Sequence, residues 1–316
     1  MNEDYYYSMI KQMRELLEDY DKRPEDEFIK LAQSINVDSL YNIPLNSHIT
    51  LYRARYSTGF DDTDPSQFSY IHNVNIISRQ RYNKAHEQVL YTATNPSTAY
   101  EEIEQPGNSE PFYLSVWTPV DEFSYSFLYN PQNCIKGSNA ERFIGILYKK
   151  VAGSAVGNHY HGMIGQLMEH EGTNYSFSSE LASRILKSID ALVSVSVKSG
   201  GKELNITFRK EAVDNAVKMH YVLLCEKMDN VLFHVKKIGL LEGNSVVWYH
   251  LELDDTSYKR ESSANRNTDY LWTCIKKNPL KISPAAIDSI KDNRVFMLVG
   301  DKEKPVFSYS YKIWKL

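Results

Sequence analysis

Four short stretches carry residue types able to grip an anion and to act on an electrophilic carbon. ITLYRARY alternates and is β-rich, which puts Arg53 and Arg55 on one side of a strand. SRQRYN does the same for Arg79 and Arg81 if it is extended, and TNPSTAYEEI places Glu101 and Glu102 early in a helix. ALVSVSV carries Ser194 and Ser196 on one strand side. Guanidinium forks match the oxygens of phosphate better than an ammonium does. A carboxylate stabilises positive charge developing at a reacting carbon, and a hydroxyl can hold the reacting geometry. Each residue alone has a plainer explanation: a strand arginine snorkels, a glutamate near a helix start suits the helix dipole, and a serine between valines is an ordinary strand residue. The weight lies in the ordered set.

The surrounding elements are readable from period and punctuation. Met9, Ile10, Met13, Leu16 and Leu17 fall at helical spacing over residues 5 to 20, and DEFIKLAQSI repeats that pattern after Pro24. Strands are expected in ITLYRARY, QVLYTAT, FYLSVWTPV, ALVSVSV and ELNITF, with a helix opening at NPST and Pro96 in its first turn. NPQNCIKGSNAERFIGILYKK reads as a turn and then a helix, and Ser178 or Ser179 caps SELASRILKS. Beyond Asp214 come HYVLLCEKM, NVLFHVKKIGLL, SVVWYHLEL, RVFMLVG and VFSYSYKIW, separated by DN, EGN and DKEKP turns. Short strands mixed with short helices, without βαβ alternation, point to α+β with a mixed, largely antiparallel sheet. The expected organisation is an N-terminal helical lead-in (1–45), a catalytic domain (46–214) and a β-rich C-terminal extension (215–316).

Composition narrows the classes. The formal net charge of -4 gives no global basic field for nucleic acid or an anionic membrane. Cys134, Cys225 and Cys274 lie far apart without a CxxC pair, which suits a reducing compartment. The acidic, helix-patterned start lacks the marks of a signal peptide, and no apolar run approaches the ~20 residues of a membrane helix. A cytoplasmic protein is expected. The 23 tyrosines are mostly strand and packing residues, with ring stacking on a base or nicotinamide as the sharper alternative. His159 and His161 could share a strand face and hold a metal, yet no spaced carboxylate or cysteine accompanies them, so no metal site is expected. GxGxxG, GxxxxGK[ST] and GxSxG are all absent, and SYKRESSANRNTDY reads as a solvated loop.

The order and local words resemble the RES domain, a family named for its Arg, Glu and Ser. The LYR word is Leu51-Tyr52-Arg53 and the RxN word is Arg81-Tyr82-Asn83; Leu90-Tyr91-Thr92-Ala93 matches the strand that follows. The A-x-x-E word is Ala99-Tyr100-Glu101-Glu102, which favours Glu102 over Glu101. Asp190 to Val197 matches the last word and gives Ser196 the family serine, with Asn205 at the usual asparagine of the closing strand. The likeness spans roughly residues 46 to 214. Ala191 stands where glycine is usual, Ser194-Val195 replace an aromatic-proline pair, and the stretch between Glu102 and Ser196 is longer than in compact members. Ser194 therefore stays beside Ser196 as the alternative.

The resemblance implies a core similar to the ADP-ribosyltransferase fold, and consumption of NAD by hydrolysis or phosphorolysis of the nicotinamide bond. NAD is then substrate, no separate cofactor is implied, and phosphate is an alternative acceptor to water. Glu102, Arg53 and Ser196 take the catalytic roles. Arg53 and Arg81 face phosphates or the adjoining ribose, and Tyr82, Asn83, Tyr91 and Ser196 complete the substrate site. Many members are toxins paired with a protein antitoxin, so an antitoxin or immunity partner is implied, with no nucleic-acid or membrane partner for this chain itself. Two rivals stand beside this expectation. One is a protein ADP-ribosyltransferase, for which Glu102-Ile103-Glu104 has the E-x-E spacing; the other is a non-enzymatic binding module using the C-terminal strands.

Overall fold

Both periods, 3.6 and 2, are realised in the computed structural model, which describes residues 3–40, 43–45, 49–59, 61–103, 110–128, 135–151, 155–170, 175–227, 233–253, 294–301 and 304–315. In chain order the elements are α1 (Glu3–Glu18), α2 (Glu25–Ser34), β1 (Ile43–Leu45), β2 (Leu51–Tyr56), β3 (Val89–Ala93), α3 (Pro96–Ile103), β4 (Phe112–Pro119) and β5 (Phe123–Phe127). There follow α4 (Asn139–Val151), α5 (Ala155–Glu169), α6 (Ser176–Leu186), β6 (Ala191–Val195), β7 (Leu204–Arg209) and α7 (Lys210–Ala216). The tail adds β8 (Val217–Lys227), β9 (Phe233–Glu242), β10 (Ser245–Leu253), β11 (Arg294–Asp301) and β12 (Lys304–Lys315). This is the expected α+β class, with helices at the N-terminus and a β-rich C-terminal part. No helix among the described residues is long and apolar enough to cross a membrane.

The chain divides into two compact units, each discontinuous in sequence. Unit 1 comprises Met1–Ser47, Tyr70–Thr94 and Pro119–Val217; unit 2 comprises His48–Ser69, Asn95–Thr118 and Lys218–Leu316. In unit 1 the strand order is β1-β5-β6-β7-β3, with β5 and β6 parallel and the pairs β1–β5, β6–β7 and β7–β3 antiparallel. Alternation gives its two faces different chemistry. Leu90, Ile206, Phe208, Val193 and Phe127 make one face apolar. The other carries Leu192 among buried polar side chains: Ser126, Ser194, Asn205 and Thr207.

The N-terminal helices belong to the core of this unit. Met13 of α1, Phe28 and Ala32 of α2, Ile164 of α5, Leu181 of α6 and Leu192 of β6 share one apolar cluster. Each such side chain taken from water contributes about 1.5–3 kcal/mol, which outweighs the weak intrinsic stability of helices this short. Helix α2 begins with Glu25, Asp26 and Glu27, favourable against its dipole, and its end is capped from another helix. There Arg184 of α6 donates to the carbonyls of Ala32 and Ile35, the latter at 2.9 Å. The start of β6 is pinned by Asp190, whose carboxylate accepts from the Ser124 amide and hydroxyl, each at 2.9 Å, and from Arg209 at 2.7 Å.

Unit 2 is a longer run of strands in the order β2-β4-β8-β9-β10-β12-β11, with antiparallel registers for β2–β4, β8–β9, β9–β10, β10–β12 and β11–β12. The expected EGN turn is a two-residue hairpin between Glu242 and Ser245. Gly243 takes φ +62 there, a left-handed conformation that a side chain disfavours. Helix α3 starts as expected. Asn95 accepts from the Ser97 amide at 2.9 Å, and Pro96 occupies the first turn, where no backbone donor is needed.

Three local expectations are corrected. Ser178 and Ser179 do not cap α6, which starts at Ser176 with Tyr175 at the cap position; Ser178 instead donates to the Tyr175 carbonyl. His159 and His161 lie on α5 rather than on a strand, so two residues apart they point to well-separated sides. Among the described residues no three metal-ligating side chains gather. Glu101 and Glu102 are not early in their helix: α3 has eight residues ending at Ile103, and its first turn holds no acid. Cys134, Cys274, Glu104 and the run 257–270 lie outside the described residues.

Candidate functional site

In unit 2, register and alternation put Arg53 and Arg55 on one face of the β2–β4 pair, opposite Ser115 and Tyr113. The Ser115 hydroxyl reaches the carbonyl of Arg53 at 3.3 Å and that of Phe68 at 3.4 Å, and accepts from the Trp117 indole at 2.8 Å. Arg55 donates to the Gln67 carbonyl. Burial, and then the like charge of Arg55, push the Arg53 guanidinium down to about 9. An arginine so placed gains from any anion that reaches it. Glu101 and Glu102, at the end of α3, are half-buried, and Tyr100 of the same helix packs on Phe112 at 4.5 Å.

In unit 1, the RxN word is a tight turn and not a strand. Gln80 and Asn83 bridge, their amides and carbonyls paired at 3.0 and 3.4 Å, and Arg81 and Tyr82 occupy the tip. The arginines of SRQRYN consequently diverge. Arg79 pairs with Glu25 and donates to Ser176 at 3.0 Å, while Arg81 lies 5.8 Å from the centre of the Tyr175 ring. Asn83 explains the turn: its side-chain amide donates to the carbonyls of Ser78 (3.0 Å) and Lys84 (2.8 Å), so it builds the loop that presents Arg81. Burial pulls the Arg81 guanidinium down, but Tyr82, Tyr91 and Tyr175 more than offset this and its value is raised. Among the described residues no carboxylate pairs with it.

The ring neighbours of Arg81 lead to the polar face of the sheet. Tyr82 and Tyr91 lie nearly parallel, 5.9 Å apart with 16° between their planes. Asn205 donates to the Tyr91 hydroxyl at 3.0 Å, and Asn205 is the cross-strand partner of Ser194. Thus Arg81, Tyr82, Tyr91, Asn205 and Ser194 form a continuous set. The Ser194 and Thr207 hydroxyls are buried with no hydrogen-bond partner among the described residues, an expensive state that a polar ligand or water relieves. Ser196 differs. It lies just past β6, and its hydroxyl accepts from the Ser199 amide at 3.2 Å, which ties it into the turn that follows.

Sequence reading missed Tyr175 and Tyr20. Tyr20, between α1 and α2, is charge-coupled to Arg81 and stacks on His170 at 3.8 Å. The abundance of tyrosine was the available signal, but nothing local says which rings meet an arginine far away in the chain. Cys225 is buried within β8, and burial pushes its thiol up, so it is a packing residue rather than a nucleophile.

No protein-family profile matches the chain, and no curated protein does. Among solved structures, a chain of the M. tuberculosis MbcT–MbcA toxin–antitoxin complex aligns over 64% of this chain and 93% of its own, with a TM-score of 0.36 and 10% identity. A likeness that low carries neither fold nor function across.

Proposed function

We propose that this chain consumes NAD by cleaving the bond between nicotinamide and ribose, with water or phosphate as acceptor. The observation that carries the reading is Arg81, a half-buried cation among tyrosine rings with no carboxylate partner among the described residues. A cation held in that way is compensated by an anion from outside, and a pyrophosphate flanked by two aromatic bases suits a guanidinium among rings. Arg53, desolvated and beside another cation, is a second group that an anion stabilises. The ordered Arg, Arg-x-Asn, Ala-x-x-Glu and Ser words add the resemblance to RES proteins. On this reading Arg53 and Arg81 bind phosphates or ribose, and Glu102 stabilises the positive charge that develops at the ribose carbon as nicotinamide leaves. Tyr82 and Tyr91 line the ring site, Asn83 shapes it, and Ser196 or Ser194 orients the substrate. A toxin or effector role with an antitoxin or immunity partner follows from the same resemblance.

The deciding experiment is NAD loss by the purified chain, with and without phosphate, beside Glu102→Ala and Arg81→Ala. Loss in the wild type alone supports the reading, and a phosphate-dependent product names the acceptor. NAD loss that survives both substitutions refutes the assignment. Labelling of an added protein without free NAD loss would favour protein ADP-ribosylation. Absence of both, from a folded sample, would favour a binding module.

A further inference from the structure

We infer that Trp248, on the C-terminal strand β10, is a positioning residue for the arginine strand: it clamps the segment 61–69 against the face of β2 and β4 that bears Arg53 and Arg55. The inference rests on the NAD reading above and gives the C-terminal extension a part in substrate binding.

Two backbone groups of the segment are tied to β10. The Trp248 indole donates to the Asp62 carbonyl at 3.0 Å, and the Val246 amide donates to the Thr63 carbonyl at 2.8 Å. The indole ring also meets Tyr113 at 5.5 Å and Phe68 at 6.4 Å, while Phe68 and Tyr113 meet edge to face at 5.3 Å. Tyr113 then donates to the Asp62 carboxylate at 2.9 Å. The segment's Phe68 thus meets two rings, Trp248 and Tyr113, and three hydrogen bonds reach Asp62 and Thr63, of which Trp248 supplies one.

From the segment the path to Arg53 is short. The Phe68 carbonyl shares the Ser115 hydroxyl with the Arg53 carbonyl, and the Gln67 carbonyl accepts from Arg55. The sequence makes room for the clamp at Gly239, the cross-strand partner of Trp248. A Cβ there would lie 2.5 Å from Val246 Cγ1 and 3.0 Å from Trp248 Cζ3. A side chain there would force Val246 or the indole to shift, so glycine leaves the space in which the ring lies against β9. A tryptophan serving only to pack the tail has no need of a bond to the segment after β2.

The test uses the full chain with Trp248→Ala and Trp248→Phe, measuring steady-state NAD consumption and hydrogen exchange of residues 61–69 and 204–209. In Trp248→Ala the expected result is a KM for NAD raised about tenfold with kcat within about twofold, because uniform binding is lost and chemistry is not. Exchange should quicken over 61–69 and stay unchanged over 204–209. Trp248→Phe keeps a ring and loses the indole donor, so its KM should rise about twofold. An unchanged KM in folded Trp248→Ala, or a fall in kcat alone, overturns the inference. If Trp248→Ala does not fold, Trp248→Phe decides: unchanged KM and unchanged exchange over 61–63 overturn it. Failure of the wild type to consume or bind NAD defeats the functional reading instead. Exchange over 61–69 then still decides the clamp, faster in the variants if it exists and identical to wild type if it does not.

Discussion

Arg81 and Arg53 are the same residue type in opposite surroundings. Arg81 sits at the tip of a turn built by Asn83 and is bordered by tyrosines that raise its guanidinium above the ordinary value. Arg53 sits on a strand beside Arg55, and burial with like charge lowers it to about 9. The first keeps its charge through the surrounding rings and hydroxyls, which offset its burial but are not a full counter-charge, so an anion from outside still adds to it. The second is desolvated beside a like charge, two effects that oppose its charged form and that an arriving anion would offset. The difference teaches that the strand arginine should contribute more to binding than the turn arginine, although both belong to equally prominent words in the sequence.

The sharpest way to break that comparison is to delete each cation. Arg53→Ala should lower kcat/KM for NAD about 100-fold, and Arg53→Lys should recover only part of it, since an ammonium lacks the planar fork. Arg81→Ala should cost less, about 30-fold, as expected for one charge-assisted contact. Steady-state rates on samples with matched circular dichroism check both, and the reverse ranking would sink the argument from surroundings.

Stability offers a smaller contrast. Asp190→Asn should lower unfolding free energy in urea by about 1–2 kcal/mol at neutral pH, through weakened charge-assisted bonds at a partly exposed site. Burial raises the Asp190 carboxyl, but the Ser124 amide, Arg209 and the Ser124 hydroxyl outweigh it, so the folded-state value is lowered. Its contribution is therefore present above the unfolded value of about 4 and is lost as pH falls through the lowered folded value. The wild type should lose stability over that acid window more steeply than Asp190→Asn, which equilibrium unfolding at a series of pH values will read.

The finest distinction is between the serines. Ser194→Ala should leave stability unchanged, because its hydroxyl has no hydrogen-bond partner among the described residues, yet weaken NAD binding about threefold. Ser196→Ala should cost about 0.5–1.5 kcal/mol of stability by freeing the Ser199 amide. Calorimetric binding and urea unfolding of the two variants separate these outcomes.

Much of the local architecture was legible because it obeys short-range rules. The heptad-like spacing of Met9, Met13 and Leu16, the alternation of Leu51 to Tyr56, and Asn95-Pro96 at a helix start each act over a few residues, and each formed as expected. Errors fell where a few residues are compatible with two states. SRQRYN suits a strand by composition, but two carbonyl bonds from Asn83 make it a turn, and that turn sends Arg79 to Glu25 and Arg81 to Tyr175. HYH alternates like a strand, but lies within a helix whose Met163, Ile164 and Leu167 need the same core as α1 and α6.

The sequence by itself determined the elements and the order of the words they carry: two arginine words, a glutamate word and a serine word, on strands and helices whose periods are local properties of the chain. Tertiary structure alone decided what surrounds each group. Tyr20, Tyr91 and Tyr175 come to Arg81 from three other stretches of the chain, and Trp248 comes to Asp62 from 186 positions away. Charge stabilisation and desolvation depend on distance in space, not along the chain, so no local pattern could distinguish the arginine whose charge its neighbours favour from the one whose charge burial opposes.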